Sequence, residues 1–167
     1  MSNLHKKQAP RSVSIAIVSV SSTRSLSNDQ SGHWMVKQAR LKGHTVNNHQ
    51  VVDDDAELIG RIVQNLVSDD RNQVIILTGG TGISLRDVTI EAVKPMLTKE
   101  LVAFSALFSH LSYAQVDSAA IMSRATAGII DDTIVFCLPG SLKACQLACE
   151  KLIFPELGHL AHHVQKG

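Results

Sequence analysis

Short runs of apolar residues alternate along the chain with longer segments in which apolar positions recur at helical spacing. The runs predict strands, and the run at residues 73–77 is almost continuously apolar, as in parallel strands that are covered on both faces. The longer segments predict amphipathic helices, the first of which ends at Gly43. The predicted strands are residues 13–20, 45–52, 73–77 and 133–138, and the predicted helices are residues 32–42, 56–67, 89–97, 101–111 and 142–154, with a short strand near Leu101 as an alternative.

The alternation of strands and helices indicates an α/β protein whose sheet is mostly parallel and has helices on both faces. We expect residues 1–12 to form a disordered tail and residues 13–167 to form a single domain. In sheets of this kind, ligands bind beyond the carboxyl ends of the strands. Four polar loops should meet at that edge: residues 21–32, 53–55, 79–87 and 139–143.

Composition excludes several classes of partner. The formal net charge is +1 and aromatic residues make up 4% of the chain, so neither a basic surface nor stacking side chains for nucleic acid are expected. No apolar run is long enough to span a membrane. The first residues are polar and lack the apolar core of a secretory signal, and the number of cysteines, three, is odd. We therefore expect reduced thiols and a cytoplasmic protein.

The third predicted strand leads into a glycine-rich loop at residues 78–87. Its three glycines lack Cβ atoms where the backbone must approach a ligand closely. Its threonines, Arg86 and Asp87 add hydroxyl donors, a positive charge and a carboxylate. This combination suits a ligand that carries phosphate, with a metal ion nearby. The structural alternative is a tight connection between a strand and a helix.

Two better-known phosphate-binding sequences do not fit this loop. A P-loop requires Gly-Lys-Ser/Thr at the start of a helix, and the chain has no Gly-Lys pair. A dinucleotide-binding fingerprint requires a third Gly or Ala three residues after Gly82, where Leu85 stands. The loop therefore belongs to neither of these common nucleotide-binding classes.

Four segments together resemble the MoaB/MogA family of molybdenum-cofactor biosynthesis proteins. They are residues 18–24 with 29–32, residues 51–55, residues 77–92 and residues 138–144, and the resemblance extends from about Val13 to Leu157. The third segment, which contains the glycine-rich loop, is highly specific. The run Gly-Ser-Leu-Lys-Ala-Cys at residues 140–145 is closer to the MoaB branch than to the MogA branch.

The resemblance implies a three-layer α/β/α fold with a mostly parallel, mixed sheet, the MogA-like molybdopterin-binding fold. It implies an adenylyltransferase, a nucleotidyltransferase that uses Mg²⁺ and transfers AMP from ATP to the terminal phosphate of molybdopterin. The products are adenylyl-molybdopterin and pyrophosphate. It also implies a homo-oligomer, a trimer or a hexamer, and makes the molybdate-inserting enzyme a candidate partner. The alternative is a non-catalytic protein of the same fold that binds molybdopterin or acts as a scaffold.

By this resemblance, Asp54 and Asp87 are the catalytic residues and hold Mg²⁺ against the ATP phosphates. Each follows a predicted strand, and we expect neighbouring strands to bring both carboxylates to the same edge of the sheet. The structural alternatives are that Asp54 caps the helix at residues 56–67 and that Asp87 caps the helix that follows it. Asp53 and Asp55 are interpreted as solvated or capping residues.

Other residues are assigned to substrate binding because they match the same family. Lys143 is suited to hold a phosphate as a point charge, and Glu91 is expected to support the loop rather than the ligand. One departure is Ser22, where many members of the family carry Asp. The complete predicted binding set is Ser21, Ser31, Thr78, Gly79, Gly80, Thr81, Gly82, Arg86, Arg124, Pro139, Gly140, Ser141 and Lys143.

Three histidines lie near the carboxyl end of the chain, and His159 and His163 have the i, i+4 spacing of zinc ligands on a helix. No acidic or thiol partner is expected beside them, so the cluster is interpreted as a solvated helix end. This leaves Asp54 and Asp87 as the predicted metal ligands.

Overall fold

The computed structural model describes residue 10 and residues 12–165 of the chain. The tail predicted for residues 1–12 therefore lies outside the described residues, except for Pro10 and Ser12. Within the described part, the strands are β1 (Ser14–Val20), β2 (Thr45–Val52), β3 (Val74–Thr78), β4 (Lys99–Glu100), β5 (Thr126–Ile130) and β6 (Thr133–Leu138). The helices are α1 (Gln30–Leu41), α2 (Ala56–Val67), α3 (Thr89–Val93), α4 (Val102–Val116), α5 (Leu142–Ala148) and α6 (Phe154–Gln165). A π-helical turn, Cys149–Ile153, joins α5 to α6, and 3-10 turns lie at Leu26–Asn28, Lys94–Met96 and Asp117–Met122.

The strands of the described chain form one six-stranded sheet in the order β2-β1-β3-β6-β5-β4. β1, β2, β3 and β6 pair in parallel, β5 pairs antiparallel with β6, and β4 pairs antiparallel with β5. The predicted mixed and mostly parallel sheet is confirmed. The parallel strands end at the same edge, β1 at Val20, β2 at Val52, β3 at Thr78 and β6 at Leu138.

Side chains of β1 alternate between the two faces of the sheet and separate the helices into two layers. Ile15 and Ile17 pack into a hydrophobic cluster with residues of α1, α4, α5 and α6. Ala16 and Val18 pack into the opposite cluster, with residues of α2 and α3. Both faces are covered, which explains why the central strands are apolar on both sides. The three-layer α/β/α architecture is confirmed.

Three elements, β2, β6 and α2, have the bounds that the sequence pattern predicts. β3 is displaced by one residue from its predicted range of 73–77. α1 begins at Gln30 rather than at Gly32, because the carboxylate of Asp29 accepts a hydrogen bond from the backbone N–H of Gly32 and caps the helix. Local capping therefore decides where this helix begins.

The sequence pattern does not predict β5. The strand includes Ala127 and Gly128, which favour strands only weakly. It is held by antiparallel pairing with β6 across a two-residue turn, Asp131-Asp132, in which Asp131 has a φ of 50°. Such a positive φ is typical of tight hairpins. The strand thus depends on its partner more than on its own residues.

Three predicted helices end elsewhere in the structure. The helix predicted for residues 89–97 stops at Val93 and tightens to a 3-10 turn at Pro95, which has no N–H to donate. α4 follows the short strand β4 and continues to Val116. The helix predicted for residues 142–154 continues through the π-helical turn into α6, and Pro155, which has no N–H to donate, follows directly after this turn and the first residue of α6. No helix in the described chain is long and apolar enough to cross a membrane.

The three cysteines, Cys137, Cys145 and Cys149, are free and buried. Burial raises the pKa of Cys137 to about 12. It also raises the pKa values of Cys145 and Cys149. The thiols are therefore protonated core side chains rather than nucleophiles.

Candidate functional site

A cleft of about 440 Å³ opens at the edge of the sheet where β1, β2, β3 and β6 end. Each of the four loops expected at this edge contributes to its walls. A further wall comes from the 3-10 turn Asp117–Met122 and the following Ser123, which the sequence pattern does not predict. The described residues that line the cleft are Val20, Ser21, Thr23, Arg24, Asp54, Gly79, Gly80, Thr81, Gly82, Asp87, Ala119, Met122, Ser123, Pro139 and Gly140.

The glycine-rich loop lines the cleft in a conformation that depends on glycine at two positions. Gly79 has a φ of 99° and Gly80 a φ of 61°, in the left-handed region that side chains rarely adopt. A Cβ on Gly79 would also collide with the backbone carbonyl oxygen of Val20. The hydroxyl of Thr89 donates to the carbonyl oxygen of Gly79 (2.8 Å), and its backbone N–H donates to that of Gly80 (2.9 Å). These bonds tie the loop to the start of α3.

Thr81 has an unpaired hydroxyl in this loop. The residue is 2% exposed, and within the described part of the chain its Oγ1 has no hydrogen-bond partner. A buried hydroxyl without a partner is uncommon in proteins and costs stability unless another molecule supplies the hydrogen bond. Because Thr81 lies in the wall of the cleft, a polar ligand there would supply the missing hydrogen bond.

Asp54 reaches the cleft from the loop after β2. Its Oδ2 accepts hydrogen bonds from the backbone N–H and the hydroxyl of Ser22, at 2.8 Å and 2.9 Å. The alternative that Asp54 caps α2 is wrong, because the cap is Asp55, whose carboxylate accepts from the backbone N–H of Leu58. The interpretation of Asp55 as a capping residue is confirmed, and the carboxylate of Asp54 is left for the cleft.

Asp87 lies at the end of the glycine-rich loop, and its Oδ2 accepts a hydrogen bond from the backbone N–H of Ser84 at 2.8 Å. Partial burial acts to raise the pKa of Asp87, but hydrogen bonds from Ser84 and Gly82 and the charge of Arg124 outweigh it and lower the pKa. The alternative that Asp87 caps α3 is wrong, because Val88 occupies the capping position. Asp87 is therefore an ionised carboxylate at the wall of the cleft.

The two carboxylates approach the glycine-rich loop at different glycines. A Cβ built on Gly80 would lie 3.2 Å from Oδ1 of Asp54, and one built on Gly82 would lie 2.9 Å from Oδ2 of Asp87. The strands that precede them are not neighbours, contrary to the expectation, because β1 lies between β2 and β3. The loop after β3 nevertheless brings Asp87 to the same cleft as Asp54.

Arg24 is the only lysine or arginine among the described residues that line the cleft. Its Nη1 donates to the carbonyl oxygen of Gly140 at 3.1 Å, and its backbone N–H donates to Oγ of Ser21 at 3.2 Å. A guanidinium has five N–H donors, so others are left for an anion. Arg24 is not among the predicted site residues, although it lies in the first of the segments that carry the resemblance.

Three predicted binding residues support the loop after β6 and do not line the cleft. The hydroxyl of Ser31 donates to the carbonyl oxygen of Gly140 (3.1 Å), and that of Thr78 donates to the carbonyl oxygen of Pro139 (3.0 Å). Ser141 caps α5 through its side chain. Their positions favour a supporting role over direct contact with a ligand.

Arg86 and Lys143 are exposed and are not among the described residues that line the cleft. Their assignment to binding stays a prediction. The other predicted residues of these loops, Ser21, Pro139 and Gly140, do line it, together with the loop glycines and Thr81.

Arg124 holds the glycine-rich loop in place. Its Nε donates to the carbonyl oxygens of Thr81 (2.9 Å) and Gly82 (3.0 Å), and its Nη1 donates to Oε1 of Glu91 at 2.7 Å. The hydrogen bond and charge of Glu91 raise the pKa of Arg124, and the same pair lowers the pKa of Glu91. Glu91 therefore acts on the loop through Arg124, as expected. Arg124 is not among the described residues that line the cleft.

A buried carboxylate fixes the start of α1. Oδ2 of Asp29 accepts a hydrogen bond from the hydroxyl of Ser19 (2.6 Å) and lies 2.8 Å from Nε2 of His49, while Oδ1 accepts from the backbone N–H of Gly32 (3.0 Å). Burial acts to raise the pKa of Asp29, but these hydrogen bonds outweigh it and hold the pKa below its ordinary value of 3.8. α1 in turn presents Ser31 to the loop after β6.

Replacing Asp29 by asparagine should lower the free energy of unfolding by about 1–3 kcal/mol at neutral pH, because its buried partners lose a charged acceptor. The folded-state pKa of Asp29 is lowered, so the stability it contributes is complete above its ordinary value of 3.8 and is lost as the pH falls through the lowered value. Urea unfolding at a series of pH values measures this contribution. The difference between the two proteins should shrink in acid, and a difference independent of pH would contradict a role for the charge.

The histidine cluster has an acidic neighbour, contrary to the expectation. Nδ1 of His159 lies 3.3 Å from Oε2 of Glu156, and Nε2 of His163 lies 2.9 Å from Nε2 of His159. Nevertheless, the described residues contain no group of three or more His, Cys, Asp or Glu side chains that could hold a metal ion. In that part of the chain, Asp54 and Asp87 likewise form no such group with a third side chain of these types.

Comparison with known proteins agrees with this architecture. Residues 16–159 match the family described as "Probable molybdopterin binding domain". The chain is 44% identical over 163 residues to molybdenum cofactor biosynthesis protein B of Bacillus subtilis. The aligned region covers 97% of this chain and 96% of that protein. A crystal structure of a molybdenum cofactor biosynthesis protein B has a TM-score of 0.92 at 42% identity and covers 96% of this chain and 100% of that chain. The crystal structure of the tungsten cofactor synthesizing protein MoaB from Pyrococcus furiosus has a TM-score of 0.83 at 32% identity. The match covers 94% of this chain and 99% of that chain.

The three-layer α/β/α fold with its glycine-lined cleft is thus a domain of the molybdopterin-binding class. The chain belongs to the MoaB/MogA family of molybdenum-cofactor biosynthesis proteins and is of MoaB type. The resemblance carried by the four sequence segments is confirmed.

Proposed function

We propose that the protein is a molybdopterin adenylyltransferase, which transfers AMP from ATP to the terminal phosphate of molybdopterin and releases pyrophosphate. Membership of the family supports molybdopterin as the ligand. The observation that carries the proposal for the reaction is that Asp54 and Asp87 line the same cleft as the glycine-rich loop. Two carboxylates beside a glycine-rich loop suit metal-assisted transfer between phosphates.

In the proposed reaction, an oxygen of the molybdopterin phosphate attacks the α-phosphorus of ATP. The bond from this phosphorus to the bridging oxygen breaks, and pyrophosphate leaves with the electron pair. Both reactants are anionic, so the cleft must offset their charges and align them. The backbone of the glycine-rich loop and the hydroxyl of Thr81 are suited to phosphate oxygens, and Arg24 supplies a positive charge.

The charges of the cleft favour a divalent cation as a further component. Its described lining carries two carboxylates, Asp54 and Asp87, against one guanidinium, Arg24, so the side chains alone do not offset the charge of the ATP triphosphate. The lowered pKa of Asp87 keeps that carboxylate ionised at neutral pH. These residues fit Mg²⁺, which proteins bind through one or two carboxylates and phosphate oxygens. Bound there, Mg²⁺ would neutralise phosphate charge during the transfer.

The direct test supplies purified protein with molybdopterin, ATP and Mg²⁺ and measures adenylyl-molybdopterin and pyrophosphate. Formation of both products supports the proposal, and omission of Mg²⁺ should stop it while molybdopterin stays bound. If molybdopterin binds and neither product forms, the adenylyltransferase proposal fails.

A second candidate function is a non-catalytic protein of the same fold that binds molybdopterin or acts as a scaffold. Ser22 favours it, because the family pattern often has a carboxylate at this position. The pair Asp54 and Asp87 favours the enzyme, since a scaffold needs no carboxylates beside a phosphate. The product assay separates the two candidates.

A homo-oligomer, a trimer or a hexamer, is part of the proposal, with the molybdate-inserting enzyme as the partner that takes the product. α4 carries apolar residues on its exposed side as well as its buried side, and Val102, Leu107, Tyr113 and Val116 are between 47% and 68% exposed. Exposed apolar surface of this kind supports burial against further copies of the chain.

Replacing Arg24 by glutamine should lower kcat/KM for adenylyl transfer by about 10- to 100-fold, because a charged donor to an anionic substrate is lost. Steady-state kinetics with both substrates measures the effect. Arg61→Gln is the matched control: Arg61 is exposed on α2 and lies outside the described lining, so its loss should change kcat/KM little. A larger effect at Arg61 than at Arg24 would contradict the placement of Arg24 in the cleft.

A further inference from the structure

The serine that departs from the family pattern makes every hydrogen bond to the Asp54 carboxylate seen in the described chain. The backbone N–H and the hydroxyl of Ser22 donate to Oδ2 of Asp54, at 2.8 Å and 2.9 Å, and the backbone N–H of Asp54 donates back to Oγ of Ser22 at 3.1 Å. Each side chain therefore accepts a hydrogen bond from the other residue's backbone N–H, as in a capping box, and the hydroxyl also donates to the carboxylate. This pair joins the loop after β1 to the loop after β2.

The contact decides which oxygen of Asp54 is available. Oδ2 has two donors, whereas Oδ1 accepts from no group in the described chain. Oδ1 lies on the side of Gly80, where a Cβ would come within 3.2 Å of it. Turning the carboxylate away would break both hydrogen bonds from Ser22. Ser22 thus holds one oxygen of Asp54 toward the glycine-rich loop.

An aspartate at residue 22 would have a different effect. Its side chain carries no proton to donate at neutral pH, so only the backbone N–H would hold Asp54. Two carboxylates would then face each other, and their repulsion would favour a cation bound between them. Serine at residue 22 orients the carboxylate of Asp54 and adds no charge to the cleft. Aspartate would add a negative charge but would hold Asp54 with one hydrogen bond fewer.

We propose that Ser22 is a positioning residue: it orients Asp54 toward the glycine-rich loop and, because it supplies no carboxylate of its own, makes the cleft bind a divalent cation together with nucleotide phosphates rather than alone. The absence of a third His, Cys, Asp or Glu ligand in the described residues is consistent with such weak binding of a free cation. The inference rests on the proposed function, because it assigns Asp54 to the cation.

The experiment measures Mn²⁺ binding by electron paramagnetic resonance and titration calorimetry, with and without a non-hydrolysable ATP analogue. Neither molybdopterin nor turnover is needed. The variants are Ser22→Ala, which removes the hydroxyl, Ser22→Thr, which retains it, and Ser22→Asp, which replaces it by a carboxylate. Ser27→Ala is the control, because Ser27 is exposed in the same loop and its hydroxyl lies 2.9 Å from that of Ser25.

We expect wild-type protein to bind Mn²⁺ much more tightly with the analogue than without it. Ser22→Ala should weaken this ternary binding by about 3- to 10-fold, the effect of losing one hydrogen bond at a polar site. Ser22→Thr and Ser27→Ala should leave it unchanged. Ser22→Asp should bind Mn²⁺ alone more tightly than wild type does.

Two results would overturn the inference while the proposed function stands: ternary binding by Ser22→Ala equal to that of wild type, or no gain in binding of Mn²⁺ alone by Ser22→Asp. If wild type binds no Mn²⁺ even with the analogue, the proposed function fails as well. Ser22 is exposed, so the variants should fold, which circular dichroism checks. If Ser22→Ala is unfolded, the comparison of Ser22→Thr with Ser22→Asp decides.

Discussion

Replacing Asp87 by asparagine is expected to abolish adenylyl transfer, with kcat falling by at least about 10²- to 10³-fold, while the affinity for molybdopterin stays close to that of wild type. Despite partial burial, the pKa of Asp87 is lowered, so its carboxylate is ionised. Asparagine keeps an oxygen that can accept the hydrogen bond from the backbone N–H of Ser84, but it offers no charge to a cation. Product formation in a single turnover and equilibrium binding of molybdopterin measure the two quantities separately.

Asp55→Asn is the matched control for this experiment. It makes the same chemical change at an aspartate that caps α2 by accepting from the backbone N–H of Leu58 at 2.7 Å and is not among the described lining residues. Asparagine caps helices about as well as aspartate, so stability and kcat should both be retained. Equal activity of Asp87→Asn and wild type would refute the role proposed for Asp87.

The second large effect is expected at Gly79, where alanine should lower the free energy of unfolding by about 2–4 kcal/mol and abolish binding of molybdopterin. The residue has a φ of 99°, and a Cβ would collide with the carbonyl oxygen of Val20. The chain must therefore accept a disfavoured backbone conformation and also move the loop away from β1. Urea unfolding and ligand titration measure the two losses.

Gly43→Ala is the control that measures the cost of a positive φ without a steric collision of the added Cβ. Gly43 also has a positive φ, 86°, but nothing lies within 4 Å of the position of its Cβ. Its replacement should cost only about 1 kcal/mol and leave ligand binding intact. If the two alanine variants were equally destabilised, the contact of Gly79 with Val20 would have no energetic role.

The elements that could be predicted are those whose own residues carry the signal. β3 is an apolar run, and α2 has an apolar stripe with Asp55 as its cap, so both are evident without knowledge of their neighbours. β5 contains Ala127 and Gly128 and becomes a strand because β6 pairs with it. Pairing across a sheet is a non-local contact, and a pattern read along one segment does not contain it.

In the candidate site, too, some features are evident from the sequence and others depend on contacts between distant segments. The carboxylates, the loop glycines and the family are evident from the sequence, but the choice among similar side chains is not. Arg24 lines the cleft, while Arg124 is turned to the carbonyl oxygens of Thr81 and Gly82. Arg24 lies in one of the segments that carry the resemblance and Arg124 is assigned to binding, so residue type alone does not show which of them lines the cleft.

By itself, the sequence determines that the protein is α/β, that its functional loops follow the parallel strands, and that it resembles the MoaB branch. These properties depend on local patterns of polarity and on residue types with few structural alternatives, such as glycines at positive φ. The tertiary structure alone decides that Asp54 is held by Ser22, that Arg24 is the cation in the cleft, and that Ser31 and Thr78 support its wall. Each of these depends on contacts between loops from different strands, which exist only once the sheet has assembled in the order β2-β1-β3-β6.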